Sequence, residues 1–197
     1  MDQALKKFGL TDDVVSHISK YIDIIIEYKD KIDLIGAKNR TDLIDNLIIS
    51  SLISTQLIDR KKSHYIDIGT GSGILGIVLK LVNDSVKLSL CDKNSKKIAF
   101  LHEVIIKLNI NYVTIFDNPL EKIQNNCLQD VDQLLIRGIK LVNIYGTLLE
   151  KFPRGTSLIY YGSQKEVDSV SVNVFNSLPM PGNESRQTPI HIFSLLL

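Results

Sequence analysis

"YIDIGTGSGILGIVLKL", residues 65–81, sets four glycines and one aspartate between a short apolar run and a helical pattern. Residues 65–68 have the length and apolar content of a buried strand, and apolar residues then recur as on a helix over 73–82. Gly69, Gly71, Gly73 and Gly76 therefore mark a strand-to-helix turn, the opening unit of a parallel β-α-β crossover. Downstream the alternation continues: strands are expected at 86–91, 112–116, 131–136 and 156–161, helices at 94–109 and 139–150. The fold class is α/β, a mostly parallel sheet with helices on both faces. The tail, "DSVSVNVFNSLPMPGNESRQTPIHIFSLLL", reads as two strands about a Pro/Gly/Asn turn, so an antiparallel C-terminal strand closes the sheet.

Upstream of the turn, "TDDVVSHISKYIDIIIEY" carries Thr11 as N-cap, acids in the first turn, and apolar residues at Val14, Val15, Ile18, Ile22 and Ile25, one amphipathic helix. A second helix is expected from about Thr41 to Ile58. The chain thus divides into an N-terminal helical extension, 1–62, packed on a core domain, 63–197. With 197 residues and 44% hydrophobic content it can bury a full core, and its net charge of +1 is too small to drive unspecific nucleic-acid binding. Cys91 and Cys127 lack metal-ligand spacing, so neither a disulfide framework nor a metal site is expected. The first residues lack a signal-peptide apolar region, and Asp45 and Asn46 interrupt the most apolar helix. A cytoplasmic, monomeric protein without a membrane span is expected.

Gly71, Gly73 and Gly76 satisfy G-x-G-x-x-G, the pattern of a dinucleotide site, and a nicotinamide-dependent oxidoreductase is one reading. No Lys-Ser/Thr pair follows, which excludes a nucleoside-triphosphate P-loop. Asp67 at the strand end turns the motif into D-x-G-x-G-x-G. A carboxylate there repels a pyrophosphate but attracts the ammonium of a zwitterionic amino-acid group. S-adenosylmethionine carries that group, a sulfonium and no phosphate. Glycines let the backbone approach the ligand, and Asp92, ending the next strand, lies at the spacing at which an acid reaches ribose hydroxyls. Asp92 serves either cofactor. As plain structure, the glycines are tight-turn residues and both aspartates cap helices.

Five pieces carry a family resemblance: "YKDKIDLIG", "YIDIGTGSGILGIVL", "LCDKNSKKIAFLHEV", Glu121 after the third strand, and "DQLLIRGIKLV". Together they resemble the bacterial ribosomal RNA small-subunit methyltransferase G family, also called glucose-inhibited division protein B. The resemblance implies a Rossmann-like class I methyltransferase sheet and S-adenosylmethionine-dependent methylation of N7 of a guanine in the 530 loop of 16S rRNA, in the small ribosomal subunit. It implies cofactor contacts at Gly69 and Ile74, at Asp92 for the ribose, at Leu120 and Glu121 around the adenine, and at Arg137 at the mouth of the site. Lys96 and Lys97 match a basic pair of the family and read as a solvated helix face without a role.

The chain departs from that pattern. The family's Arg-His pair falls on Asp45 and Asn46, and the aspartate of its Asp-Ser pair on Ile49, leaving Ser50. Ser72 and Leu75 replace prolines, Pro119 an arginine and Tyr161 a lysine. Guanine N7 carries a lone pair and no proton, so no general base is expected. His17, His64, His102 and His191 are scattered, and Cys91 reads as core. Basic residues gather at Lys29, Lys31, Lys38, Arg40, Arg60, Lys61 and Lys62; Lys38 and Arg40, with Arg137, are the candidate RNA contacts. A divergent cofactor-binding protein with lost or altered RNA activity is the third reading.

Overall fold

The computed structural model describes residues 5–29, 31–58, 61, 63–180 and 191–197. Arg60, Lys62 and the Pro/Gly/Asn turn expected in the tail lie outside them. Seven strands form one sheet: β1 (His64–Ile68), β2 (Lys87–Cys91), β3 (Val113–Phe116), β4 (Gln133–Arg137), β5 (Ser157–Gly162), β6 (Asn173–Pro179) and β7 (His191–Leu196). Their order is β3-β2-β1-β4-β5-β7-β6. The first five pair in parallel, and β7 runs antiparallel between β5 and β6. The chain reverses its winding between β1 and β4, which opens a crevice at the carboxyl ends of the strands there.

Period-two alternation decides which residues face that crevice from above and below. Tyr65, Leu88, Leu90, Leu135 and Ile159 point into one core, Ile66, Ile68, Cys91, Leu134 and Ile136 into the other. The first core is roofed by α1 (Asp12–Tyr28), the second helical region, α4 (Ile74–Val82) and α5 (Ser95–Lys107). The second is closed by α6 (Leu141–Lys151), with Val167 of the short α7 (Gln164–Asp168) buried there. The N-terminal helices thus share a core with the sheet. Ile18, Tyr21, Ile22 and Ile25 of α1 are fully buried in it. Thr11 caps α1, accepting from the Val14 N–H at 3.4 Å.

The second helix differs from expectation. It begins with α2 (Arg40–Leu43), widens into a π-turn over Ile44–Ile48, continues as α3 (Ile49–Ile53) and tightens to 3₁₀ at Ser54–Gln56. Hydroxyls explain the irregularity: Ser50 donates to the carbonyls of Asn46 (2.7 Å) and Leu47 (3.0 Å), and Ser51 to that of Leu47 (2.8 Å). Side chains competing for helix carbonyls bend and widen the ladder. Among the described residues no helix is long and apolar enough to cross a membrane, and no group of three metal-binding side chains occurs.

Candidate functional site

The turn after β1 is held from every side. Gly69, Gly71 and Gly73 all take positive φ, at 68°, 61° and 87°. The N–H groups of Gly69 and Thr70 donate to the Cys91 carbonyl at 2.8 and 3.0 Å, tying the turn to the end of β2. Gly71 N–H donates to Asp92 Oδ2 at 2.8 Å, and Asn94 N–H to Asp92 Oδ1 at 2.9 Å. From the helical roof, the buried Tyr21 hydroxyl donates to the Ser72 carbonyl at 2.7 Å. A side chain on Gly69 would run into Ile139, and one on Gly73 into Ile77 and Leu101. At Gly71 the added carbon would make only ordinary van der Waals contacts, with the Gly69 carbonyl oxygen and Lys97 Nζ, each 4.0 Å away.

Asp67 lies beneath the turn. Its Oδ2 accepts from Thr70 Oγ1 (2.7 Å) and from the Gly76 N–H (2.9 Å). Gly73, the N-cap of α4, has no side chain to cap with, so Asp67 caps that helix from the strand below. The expected ammonium partner is thus occupied by the turn itself. Only 2% of Asp67 is exposed, and burial pushes its carboxyl up to about 6, against the hydrogen bonds from Thr70 and Gly76 and the Arg137 charge.

The native state therefore binds the Asp67 proton more tightly than the unfolded chain does. This group's contribution to stability is fullest below the unfolded value, near pH 4, and is lost as pH rises through about 6, a change of about 3 kcal/mol. Asp67→Asn, which keeps an acceptor for both donors, is expected to remove that decline. Urea unfolding at pH 4 and pH 7.5 should show the variant gaining about 2.5 kcal/mol on the parent between the two. A pH-independent difference would rule out burial as the cause.

Beside the turn, a cleft of about 360 Å³ opens at the carboxyl ends of β1 and β2. Its wall brings together Gly69, Asp92, Leu120 and Glu121, four of the residues expected at the cofactor, with Ile68, Cys91, Ile139 and Asn143. Pro119 and Lys93 complete its rim. Asp92 remains partly accessible although both its oxygens accept backbone N–H groups. Cys91 is buried, its thiol donates to the Asn118 carbonyl at 3.2 Å, and burial pushes it up to about 12, far from a nucleophile. Ile74 is buried in the core under the turn and lies outside that wall.

Arg137 faces a second, larger cleft of about 600 Å³, which meets the first at Ile139. Its Nη1 donates to Ser50 Oγ (3.1 Å) and the Leu47 carbonyl (3.4 Å), its Nη2 to the Asn46 carbonyl (3.1 Å). The π-turn carbonyls and Ser50 hold the guanidinium, and Ile49 makes no contact with it among these bonds. Tyr161 covers it with its ring at 4.9 Å and donates to the Ser50 carbonyl at 2.9 Å. Burial holds the guanidinium below its ordinary value, while Tyr161 and Asp67 oppose that. Asp42, Asn46, Lys140 and Glu166 also line this cleft.

Lys38 and Arg40 lie in sequence between Ala37 and Asp42, which line this cleft, but neither of them is part of its wall. The Lys38 N–H donates to Asp42 Oδ2 at 2.7 Å, and Arg40 pairs with Asp23. Lys31 pairs with Glu27 at 3.2 Å and lies over the Tyr28 ring, away from the clefts. Tyr21, Ile139, Asn143 and Lys97 are the residues at the site that sequence reasoning gave no role. For Ile139 the available signal was its place two residues beyond β4; Tyr21 read only as one more position on a helix.

The family model described as rRNA small subunit methyltransferase G matches residues 15–175. The chain is 32% identical over 142 residues to the ribosomal RNA small subunit methyltransferase G of Mycoplasma capricolum, covering 71% of this chain and 60% of that protein. It is 28% identical over 183 residues to that of Oenococcus oeni, covering 84% and 76%. Against the Fusobacterium nucleatum relative the match spans 54% of the relative's length. Among solved structures, a SAM-dependent methyltransferase from Aquifex aeolicus superposes with TM-score 0.57 at 13% identity, covering 79% of this chain and 93% of that one. P. horikoshii TYW2 in complex with MeSAdo gives 0.59 at 13%, covering 78% and 61%.

Proposed function

The chain belongs to the ribosomal RNA small subunit methyltransferase G family, and on that premise we propose that it binds S-adenosylmethionine in the Asp92 cleft and methylates N7 of a guanine in the 530 loop of 16S rRNA. Family membership sets aside the oxidoreductase reading. The observation that carries the proposal is the pair of adjoining clefts at the switch point of the sheet. One is rimmed by the Asp92 carboxylate and a glycine turn, the other by Arg137 and Lys140, and they meet at Ile139.

The donor set suits the cofactor's chemistry. Asp92 holds a lone pair on each oxygen for ribose hydroxyls beyond the backbone N–H groups it accepts. Leu120 gives an apolar wall for an adenine, and Glu121 and Asn143 give polar groups for its edge. Gly69, Gly71 and Gly73 bring backbone against the amino-acid end. When bound, the cofactor would supply an electrophilic methyl group on a sulfonium, which the lone pair of a guanine N7 could accept without loss of a proton. The chain's own residues then have to align nucleophile and methyl group, an effect that supplies roughly 7–11 kcal/mol in well-oriented systems. Ile139, shared by both clefts, excludes water where they meet, and Arg137 presents a fixed cation to the base or its phosphate. Lys38 and Arg40 would meet RNA phosphates at the outer edge, Arg40 by exchanging Asp23 for a phosphate. We take the protein to act as a cytoplasmic monomer on the small subunit.

The test is methyl transfer from labelled S-adenosylmethionine to small subunits lacking the modification, followed by mapping of 7-methylguanosine. Label in the 530 loop is expected. Tight cofactor binding without transfer would favour instead a divergent cofactor-binding protein, the reading that Asp45, Asn46, Pro119 and Tyr161 motivate by replacing basic or proton-carrying side chains.

Tyr21 makes the helical extension part of this site. Tyr21→Phe deletes the one hydroxyl that reaches the glycine turn from α1 and leaves a buried carbonyl without its donor, a loss of about 1–3 kcal/mol. Cofactor affinity should fall about fivefold while turnover at saturating cofactor stays within about twofold. Ile18→Val, which loosens α1 without touching the turn, should leave affinity unchanged. Equal behaviour of the two variants would make the Tyr21 hydroxyl a stability contact alone.

A further inference from the structure

The two adjacent lysines of α5 have different surroundings. Lys96 is exposed, whereas Lys97 is half-buried, and its ammonium hangs over the glycine turn, 4.0 Å from the point where a side chain on Gly71 would begin. Asn94 caps both lysines' N–H groups, at 3.0 and 3.3 Å, which fixes the first turn of α5 and with it the direction of the Lys97 stem. Among the described residues the Lys97 ammonium forms none of the ion pairs, although Asp67 and Asp92 both lie by the same turn. Each of those carboxylates is engaged with backbone N–H groups instead.

Resting on the cofactor reading above, we propose that Lys97 binds the α-carboxylate of the cofactor's amino-acid group. The point where a Gly71 side chain would begin is bracketed by an acceptor, the Gly69 carbonyl oxygen, and a donor, Lys97 Nζ, both 4.0 Å away. A zwitterion, with ammonium and carboxylate on one carbon, is the ligand group that matches such a bracket. The other cations of the region stand at other places. Arg137 spends its guanidinium on Ser50 and the Asn46 and Leu47 carbonyls. Lys93 lines the nucleoside cleft and Lys140 the second cleft. A carboxylate placed at the glycine turn would otherwise face Asp92 and Asp67 with no countercharge, and like charges in a desolvated turn repel strongly.

The test separates the two ends of the cofactor. Binding of S-adenosylmethionine and of 5′-methylthioadenosine, which keeps the nucleoside and lacks the amino-acid group, is measured by calorimetry for the parent, Lys97→Met and Lys97→Arg. Methionine preserves the apolar stem of the side chain and therefore the packing of α5. Lys97→Met should weaken S-adenosylmethionine binding about tenfold, the scale of one charge-assisted contact, and leave methylthioadenosine within twofold; Lys97→Arg should restore most of the loss. Parent-like binding of both compounds by Lys97→Met, or an equal loss of both, would overturn the assignment. A parent that binds neither nucleoside overturns the cofactor reading and this assignment with it.

Discussion

Asp92→Ala is expected to weaken S-adenosylmethionine binding by about a hundredfold, the largest effect of any single substitution in the nucleoside cleft. Two losses combine. Each carboxylate oxygen offers a remaining lone pair to a ribose hydroxyl, and a hydrogen bond to a charged group contributes about 1.5–3 kcal/mol. The same oxygens anchor Gly71 N–H at 2.8 Å and Asn94 N–H at 2.9 Å, so alanine also frees the glycine turn from the end of β2. Methylthioadenosine should be lost in parallel, in contrast to Lys97→Met, because the ribose is common to both ligands. Asp92→Asn, with one acceptor oxygen in place of two, should fall between. Calorimetry reads all three; an alanine variant that binds like the parent would place the nucleoside elsewhere.

Arg137→Ala should cost both stability and chemistry, and the two can be separated by temperature. Removing the side chain takes the guanidinium's donation from Ser50 Oγ and from the Asn46 and Leu47 carbonyls, which keep only the serine hydroxyls, and takes the cation from the Tyr161 ring, for a loss of about 2–4 kcal/mol. For a chain near this size that corresponds to a fall in Tm of roughly 5–15 °C. Arg137→Lys should recover little of it, since a lysine cannot reproduce the planar fork that spans three acceptors. At a temperature where the variant remains folded, methyl transfer should fall at least about tenfold, with cofactor affinity within about threefold. That split is expected because Arg137 borders the second cleft and lies outside the nucleoside cleft. Unimpaired transfer by folded variant would reduce Arg137 to a clamp on the helical roof.

Ile49 stands where the family's Asp-Ser pair has its aspartate, so that position brings no carboxylate near Arg137. Arg137 is satisfied instead by neutral groups: the π-turn at Ile44–Ile48 and Ser50 supply acceptors, and Tyr161 supplies a ring. A guanidinium satisfied this way forms no direct ion pair among the described residues, although the carboxylates of Asp42 and Glu166 line the same cleft. Loss of Arg137 would also remove one of the influences that favour ionised Asp67.

The sequence alone determined the alternation of the core strands and helices, the glycine turn, and the places of Gly69 and Asp92, because these depend on local periodicity and on residues at successive strand ends; Leu120 and Glu121 came from the family resemblance, and the short α7 carried no sequence signal. A parallel sheet carries such ends to one edge whatever the rest of the chain does. Tertiary structure decided the rest. It turned Asp67 inward as the cap of α4, since strand alternation puts it on the face roofed by helices. It broke the second helix at a π-turn, since serine hydroxyls compete for carbonyls there. It also separated Lys97 from Lys96, brought Tyr21 onto Ser72 and set Arg137 on the π-turn and α3 rather than in the wall of the Asp92 cleft. Those contacts join residues 51 to 91 positions apart or depend on where a long side chain points, and no periodicity in the chain encodes either.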